Sequence, residues 1–414
     1  MRDHRPEEER RRPRATAALP LLALLLLLPA TATSSGATSL VGEMARAFDR
    51  RIFPTPGGRF TQLVTPVVQR LALAGIDLPP IATSPSFYWS YDADGVPTRS
   101  RGALGSMFAE RASTLGARRW DVGLAVRHAD LEKFDGAPLA NQLTVTSRVP
   151  FGDGVVRQRF AAADFRLRLD MLDVAVTYGV TDRWDVNLLV PVVVSDLTLA
   201  GEATAQVAGS FAGPPVHEAV GVDGTRAGVG DLLLRTKYRF LDHGAGRLAA
   251  LATLRLPSGD PDDFHGTGDT RLGAALIASR DFRGNDLHLN LGWVLDATDL
   301  QRSRATYALG VAIRAAEPVT LLLDLLGAST VVDDEFTVAD GRFPQQYGFD
   351  ELVRGRANGV VYAAIPRADV VNLAVGTKIA LGPWFVTAVS AVVPLTRDSL
   401  RPDVMVAWSL EAAF

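Results

Sequence analysis

The chain has 414 residues, 47% of them hydrophobic and 21% charged, with a net charge of −3 and a mean hydropathy of +0.12. That balance excludes a bundle of membrane-crossing helices, because nothing beyond residue 40 approaches the roughly 20 apolar residues such a helix needs. It gives no basic footprint for nucleic acid, and the absence of cysteine removes disulfides, thiolate metal sites and cysteine nucleophiles.

At the N-terminus Arg10, Arg11, Arg12 and Arg14 precede an apolar run at 15–28, broken by Pro29 and followed by Ala30-Thr31-Ala32. This order reads as a secretory signal peptide over 1–32, cut after Ala32. The alternative is an uncleaved membrane anchor, for which the apolar run is short. Residues 33–115 hold no sustained period and read as a non-barrel segment, either periplasmic or a plug. A short amphipathic helix is expected over 61–73, ended by "DLPP" at 77–80. Phe87, Trp89 and Tyr91 form an aromatic patch, read as a strand or as a segment tucked under a barrel mouth.

From Arg119 onward the pattern has period two, the signature of strands with different surroundings on their two faces. In "DLLLRTKYRF" at 231–240, Asp231, Leu233, Arg235, Lys237 and Arg239 share one face and Leu232, Leu234, Thr236, Tyr238 and Phe240 the other. The same alternation recurs at 286–297, 304–314 and in the C-terminal "DVMVAWSLEAAF". Twelve strands are expected near 118–132, 164–179, 184–197, 229–240, 247–257, 268–280, 286–297, 304–314, 318–331, 369–380, 383–395 and 403–414. The second changes face near Met171 and Leu172, which predicts a bulge there. The eleventh alternates poorly.

Short turns follow every second strand, at 181–183, 243–246, 282–286, 315–318 and 381–383. The intervening connections are longer on average, and 133–163, 198–228 and 332–368 exceed any ordinary hairpin loop. Short turns on one side and long loops on the other describe an outer-membrane β-barrel, and an even strand count puts both barrel ends on the short-turn side. Trp120, Tyr178, Trp184, Tyr238, Phe240, Phe282, Trp384, Phe385 and Phe414 all fall beside the short turns, as an interfacial girdle would. The opposite face supplies the expected lumen-lining set: Arg166, Arg168, Asp170, Asp231, Arg235, Lys237, Arg239, Arg255, Asp269, Arg271, His288, Asp296, Arg304, Arg314, Asp324, Lys378 and Glu411. His128 is expected on the same face. These charges read equally as a salt-bridge lattice filling a narrow lumen or as the wall of a solute path.

Catalytic and metal signals are weak. The six histidines lack ligand spacing, and "GVGDLLL" at 228–234 lacks the lysine of a phosphate loop. Asp260, Asp262 and Asp263 could hold Ca²⁺ or bridge to lipopolysaccharide, but a solvated acidic loop is the plainer reading. No cofactor, metal or catalytic residue is assigned.

Three segments carry a family resemblance: "FAERASTLGARRWDVGLAV" at 108–126, "VTYGVTDRWDVNLLVPVV" at 176–193 and "GVGDLLLRTKYRF" at 228–240. They resemble the bacterial meta-pathway phenol-degradation proteins, also described as outer-membrane transporters. The likeness extends over about 85–414. It implies a membrane β-barrel that passes hydrophobic or aromatic compounds, and it carries over no binding residues.

Sequence and resemblance together predict an all-β chain: an antiparallel transmembrane barrel of about twelve strands over 116–414, in the bacterial outer membrane. Its expected role is a channel or transporter for small aromatic or hydrophobic solutes, with a sub-pocket from Phe160, Phe211 and Phe264. Expected partners are membrane lipid, lipopolysaccharide, the solute, and the barrel assembly machinery, which would read Phe414. Alternatives are a plugged structural barrel, a membrane-embedded lipid-modifying enzyme whose triad is not sequence-local, and a soluble periplasmic barrel.

Overall fold

A computed structural model describes residues 38–51, 68, 69, 72, 73, 75–87, 89–91, 97–99, 102–151, 154–210, 212–244, 246–339, 353–357, 360–365 and 367–414. The expected signal peptide, most of the helix expected at 61–73, and Phe211 lie outside these residues.

Twelve antiparallel strands form the barrel wall. They are β1 (Trp120–Phe134), β2 (Gly154–Thr181), β3 (Trp184–Ala208), β4 (Leu232–His243), β5 (Gly246–Leu256), β6 (Arg271–Phe282), β7 (Asn285–Asp296), β8 (Arg304–Arg314), β9 (Val319–Thr330), β10 (Asp369–Ala380), β11 (Phe385–Pro394) and β12 (Leu400–Ala413). Each pairs with the next, and β12 pairs with β1 from Leu400↔Phe134 to Ala413↔Asp121, so the sheet closes. Closure removes the edges that an open sheet would leave unbonded in lipid. The backbones of Trp120 and Phe414 exchange two hydrogen bonds, of 2.8 and 2.9 Å, at the end of this seam.

The wall is inverted relative to a soluble protein. Along β7, Leu287, Leu289, Leu291, Trp293 and Leu295 are exposed, while Asp286, His288 and Asp296 are buried. In β4, Leu234 and Tyr238 are 42% and 51% exposed, against 6% and 2% for Arg235 and Lys237 between them. In water this arrangement would lose apolar burial and pay for buried charge at once. It is stable with lipid outside. The five outward residues of β7 span ~27 Å along the strand, which matches an apolar band about 25 Å tall once strand tilt is allowed for. The nine aromatics lie beside the short turns. Trp120 stacks on Tyr178 with centroids 4.6 Å apart, and Trp184 donates its indole N–H to Thr236 at 2.7 Å.

The short turns follow β2, β4, β6, β8 and β10. The β6–β7 turn needs Arg283 and Gly284 both at positive φ, +51° and +84°, the two-residue turn whose twist matches a hairpin. The long connections carry structure of their own. Thr144–Phe151 pairs with the start of β2, and Val216–Val229 pairs with β3. A separate sheet forms from Asp334–Ala339, Val353–Ala357 and Val360–Ile365. Strands β2 and β3 therefore run well past the apolar band.

The environment of β2 reverses in this extension. Phe165, Leu167, Leu169 and Met171 point inward to an apolar core. Their neighbours Arg166, Arg168 and Asp170 point outward to water, where Arg166 meets Glu132, Arg168 meets Asp130 at 3.0 Å and Asp170 meets His128 at 2.6 Å. These three residues and His128 are thus not lumen-lining. The bulge expected at Met171 and Leu172 is also absent, since pairing with β1 and β3 runs unbroken through them. The strand keeps its parity; the medium outside it changes from lipid to water, so the apolar residues change face. The breaks in β2–β3 register lie instead at Ala162/Asp164 and Gly179/Thr181.

Helix α1 (Leu40–Arg51), not expected from the sequence, packs Leu40, Val41 and Met44 into the same core, against Leu197, Leu199, Val222 and Phe264. Ser39 caps it, accepting from Gly42 N–H at 3.1 Å, and Asp263 accepts from Leu40 N–H at 2.8 Å where the helix dipole favours a carboxylate. Poor alternation in β11 also has a packing cause. Its inward Ala388 and Val392 meet Met107 and Phe108, so both faces of the strand are apolar.

Candidate functional site: the barrel lumen

Residues 75–87 and 102–118 run inside the wall, and many of the inward charges of the strands bind them. A segment without regular secondary structure of its own must satisfy its backbone groups on its surroundings. The lumen does this in layers.

Nearest the long connections, Asp77 sits among three guanidiniums: Arg255 at 2.8 Å, Arg304 at 2.6 Å, and Arg271. A carboxylate buried this deeply needs opposite charge around it, and the three guanidiniums supply it. Behind them Arg271 also meets Asp296 at 3.0 Å, and Arg302 pairs with Asp269.

At mid-height Glu110 accepts from Thr83 N–H at 2.6 Å and from the Ser84 hydroxyl at 2.6 Å, with Lys237 at 3.6 Å. A carboxylate buried this deeply is tolerated only with opposite charge and donors around it, and here Lys237 and the two hydroxyls of Thr83 and Ser84 supply both. Asn290 clamps the Glu110 backbone in both directions, at 2.7 and 2.8 Å. Arg235 donates to the Ile81 carbonyl at 2.8 Å. Closer to the short turns, Lys378 donates to the Ser86 hydroxyl at 3.0 Å and the Ser106 carbonyl at 2.8 Å, and Glu411 accepts from the backbone and hydroxyl of Ser86. Asp324 accepts from the Ser106 hydroxyl. His288 bonds Ser279 at 3.0 Å, and Ser279 accepts from Ala112 N–H at 2.8 Å.

Nearest the short turns, Arg111 pairs with Asp286, and Leu115 N–H donates to Asp185 at 3.0 Å. Arg239 donates to the Asp182 carbonyl at 2.8 Å, and Arg314 stays partly exposed beside Glu317. Asp231, at the head of β4, accepts from Gly259 and Thr267 and so orders the 257–270 connection.

A cavity of about 390 Å³ remains between this segment and the wall at the long-connection end. Leu78, Ile81, Phe108, Tyr307 and Met405 give it an apolar lining, with Arg235 and Arg401 among its polar groups. Phe160 and Phe264 do not line it. Both are fully buried in the core around α1, so the sub-pocket expected from them is not formed, and Phe211 lies outside the described residues. Asp262 and Asp263 are spent on Gln69 and Leu40, and Asp260 caps the short 3₁₀ turn Pro261–Asp263. Among the described residues no cluster could hold a metal ion.

The sequence reading missed the inner partners: Asp77, Ser84, Ser86, Ser106, Glu110 and Arg111, with Arg302 and the buried Arg127–Asp173 pair on the wall. The one signal available was the run of small and polar residues at 102–117, which suits a chain lying close against a charged wall.

Residues 149–350 match the model of the family described as "Putative MetA-pathway of phenol degradation", the family that the hairpin and strand motifs resemble. No curated protein sequence matches. Among solved structures, the COG4313 outer membrane channel from Pseudomonas putida F1 is similar at 12% identity and a TM-score of 0.45, over 73% of this chain and 98% of that one. The P. putida toluene transporter TodX gives 10% and 0.31, over 72% and 88%. A Pseudomonas aeruginosa FadL homologue gives 10% and 0.30, over 72% and 90%.

Proposed function

We propose that the protein is an outer-membrane channel for small apolar or aromatic solutes, which enter the cavity at the long-connection end of the lumen. The observation that carries this is the cavity itself: a space of about 390 Å³ inside a lipid-facing barrel, with an apolar lining and a few fixed polar groups. A toluene- or phenol-sized molecule fits it. The charged lattice around the inserted segment orients rather than attracts such a solute, because nearly every carboxylate there already has a cationic or hydroxyl partner. The family match and the names of the structural neighbours agree with this role.

The test is uptake of a panel of monoaromatic compounds by proteoliposomes holding the purified barrel. Saturable uptake of neutral arenes above protein-free vesicles is expected. One observation favours a second reading, a structural barrel: the inserted segment fills the inner half of the lumen around Glu110–Leu115. Proteoliposomes no leakier than protein-free vesicles, with no conductance in planar bilayers, would select that reading.

A further inference from the structure

We propose that helix α1 is displayed on the outer surface of the cell, and that residues 75–87 carry the chain across the lumen from the long-connection end toward the short turns. The inference rests on the outer-membrane reading, which puts short turns in the periplasm and long connections outside.

The two ends of the segment are seated on opposite faces of the barrel. At the α1 end the polar partners seen among the described residues belong to a long connection or to the accessory strand within one. Asp263, in the β5–β6 connection, accepts from Leu40 N–H, and Asp262 accepts from Gln69 at 2.8 Å. Arg226, on Val216–Val229, donates to the Thr38 carbonyl at 2.6 Å and pairs with Glu43. The same strand supports the helix through Gly224, where a Cβ would come within 2.9 Å of Leu40. At the other end the partners belong to short turns. Ala103 N–H donates to the Gly284 carbonyl at 3.0 Å in the β6–β7 turn. Ala117 N–H and the Thr114 hydroxyl bond Asp182 at 3.0 and 2.7 Å in the β2–β3 turn, and Arg118 N–H donates to Gly179 at 2.6 Å.

Between these ends residues 75–87 descend from the long connections toward the short turns, where Ser86 meets Glu411, and residues 102–118 rise to mid-height at Glu110 and return to the short turns. Asp77 meets arginines at the long-connection ends of β5, β6 and β8, and Glu110 meets Asn290 midway along β7. A segment that only stoppered the inner mouth would touch the short turns and leave the long connections alone. Nor is α1 a loose end, since Leu40 and Met44 are fully buried. A solute must therefore pass beside a chain anchored at both faces, rather than push a stopper out of one of them.

The chain has no cysteine, so single cysteines report side without background. Arg46→Cys places a thiol on the exposed face of α1. Gly213→Cys marks a long connection, with nothing within 4 Å, and His243→Cys marks a short turn. Each variant is expressed in whole cells and treated with a membrane-impermeant maleimide, before and after permeabilising the outer membrane. Heat-modifiable migration of each confirms a folded barrel. We expect Arg46→Cys and Gly213→Cys to label on intact cells, and His243→Cys only after permeabilisation. Arg46→Cys labelling only after permeabilisation, with both controls as expected, overturns the display of α1 and leaves the channel reading standing. Exchange of the two controls, or equal labelling of all three, overturns the orientation itself and the inference with it.

Discussion

Replacing Asp77 with Asn isolates the contribution of the three-arginine cage. Asp77 is the carboxylate that Arg255 and Arg304 pair with, whereas Arg271 keeps Asp296 at 3.0 Å. Breaking a buried ion pair by removing one partner costs about 3–5 kcal/mol, because the other charge is left uncompensated. Arg255 and Arg304 retain 17% and 24% side-chain exposure toward the cavity, and the substituted amide can still accept one hydrogen bond. Both effects reduce the loss, to about 2–3 kcal/mol. That loss falls on the seating of residues 75–87, not on the barrel ladder. Limited proteolysis of the detergent-purified protein should therefore cut the inserted segment at least tenfold faster, while the barrel keeps its heat-modifiable migration. Channel conductance should rise. Unchanged proteolysis and conductance in Asp77→Asn would refute the idea that this cage seats the segment.

Leu291→Arg separates a lipid-facing wall from a wet one: on a water-exposed strand the change is close to neutral, but at mid-bilayer it should cost about 2–4 kcal/mol, read as a lower urea midpoint in vesicles. Gly179→Ala should dislodge the exit of the segment, because a Cβ there would lie 1.8 Å from the Gly116 carbonyl oxygen; proteolysis near 114–118 should accelerate while the barrel persists. Trp184→Phe removes the donor to Thr236 and should cost about 1 kcal/mol in the same urea titration, with no change in uptake. Deleting Phe414 removes both backbone hydrogen bonds to Trp120 at the closing seam, and the inserted fraction in an outer-membrane preparation should fall.

Much of the fold is written in period two. Twelve strands, their closure, the short turns and the aromatic girdle all follow from alternation and spacing, because lipid outside and polar contacts inside force opposite chemistries onto successive residues. The same rule misled at Arg166, Arg168 and Asp170. Alternation shows that two faces differ, but which face points inward depends on whether lipid or water lies outside. Beyond the apolar band that medium changes and the parity does not. The lumen was legible on one side only. Lys237, Asp324, Lys378 and Glu411 stood out as charges on an inward face, but their partners did not, since Ser84, Ser86 and Ser106 sit in a segment without period. Ser86 and Glu411 are 325 residues apart in sequence, and Asp77 meets arginines on three different strands. Local pattern determined the wall of this protein. Only the closed barrel decided what fills it, because a buried charge takes whichever partner the fold brings within hydrogen-bond reach, and sequence distance places no limit on that choice.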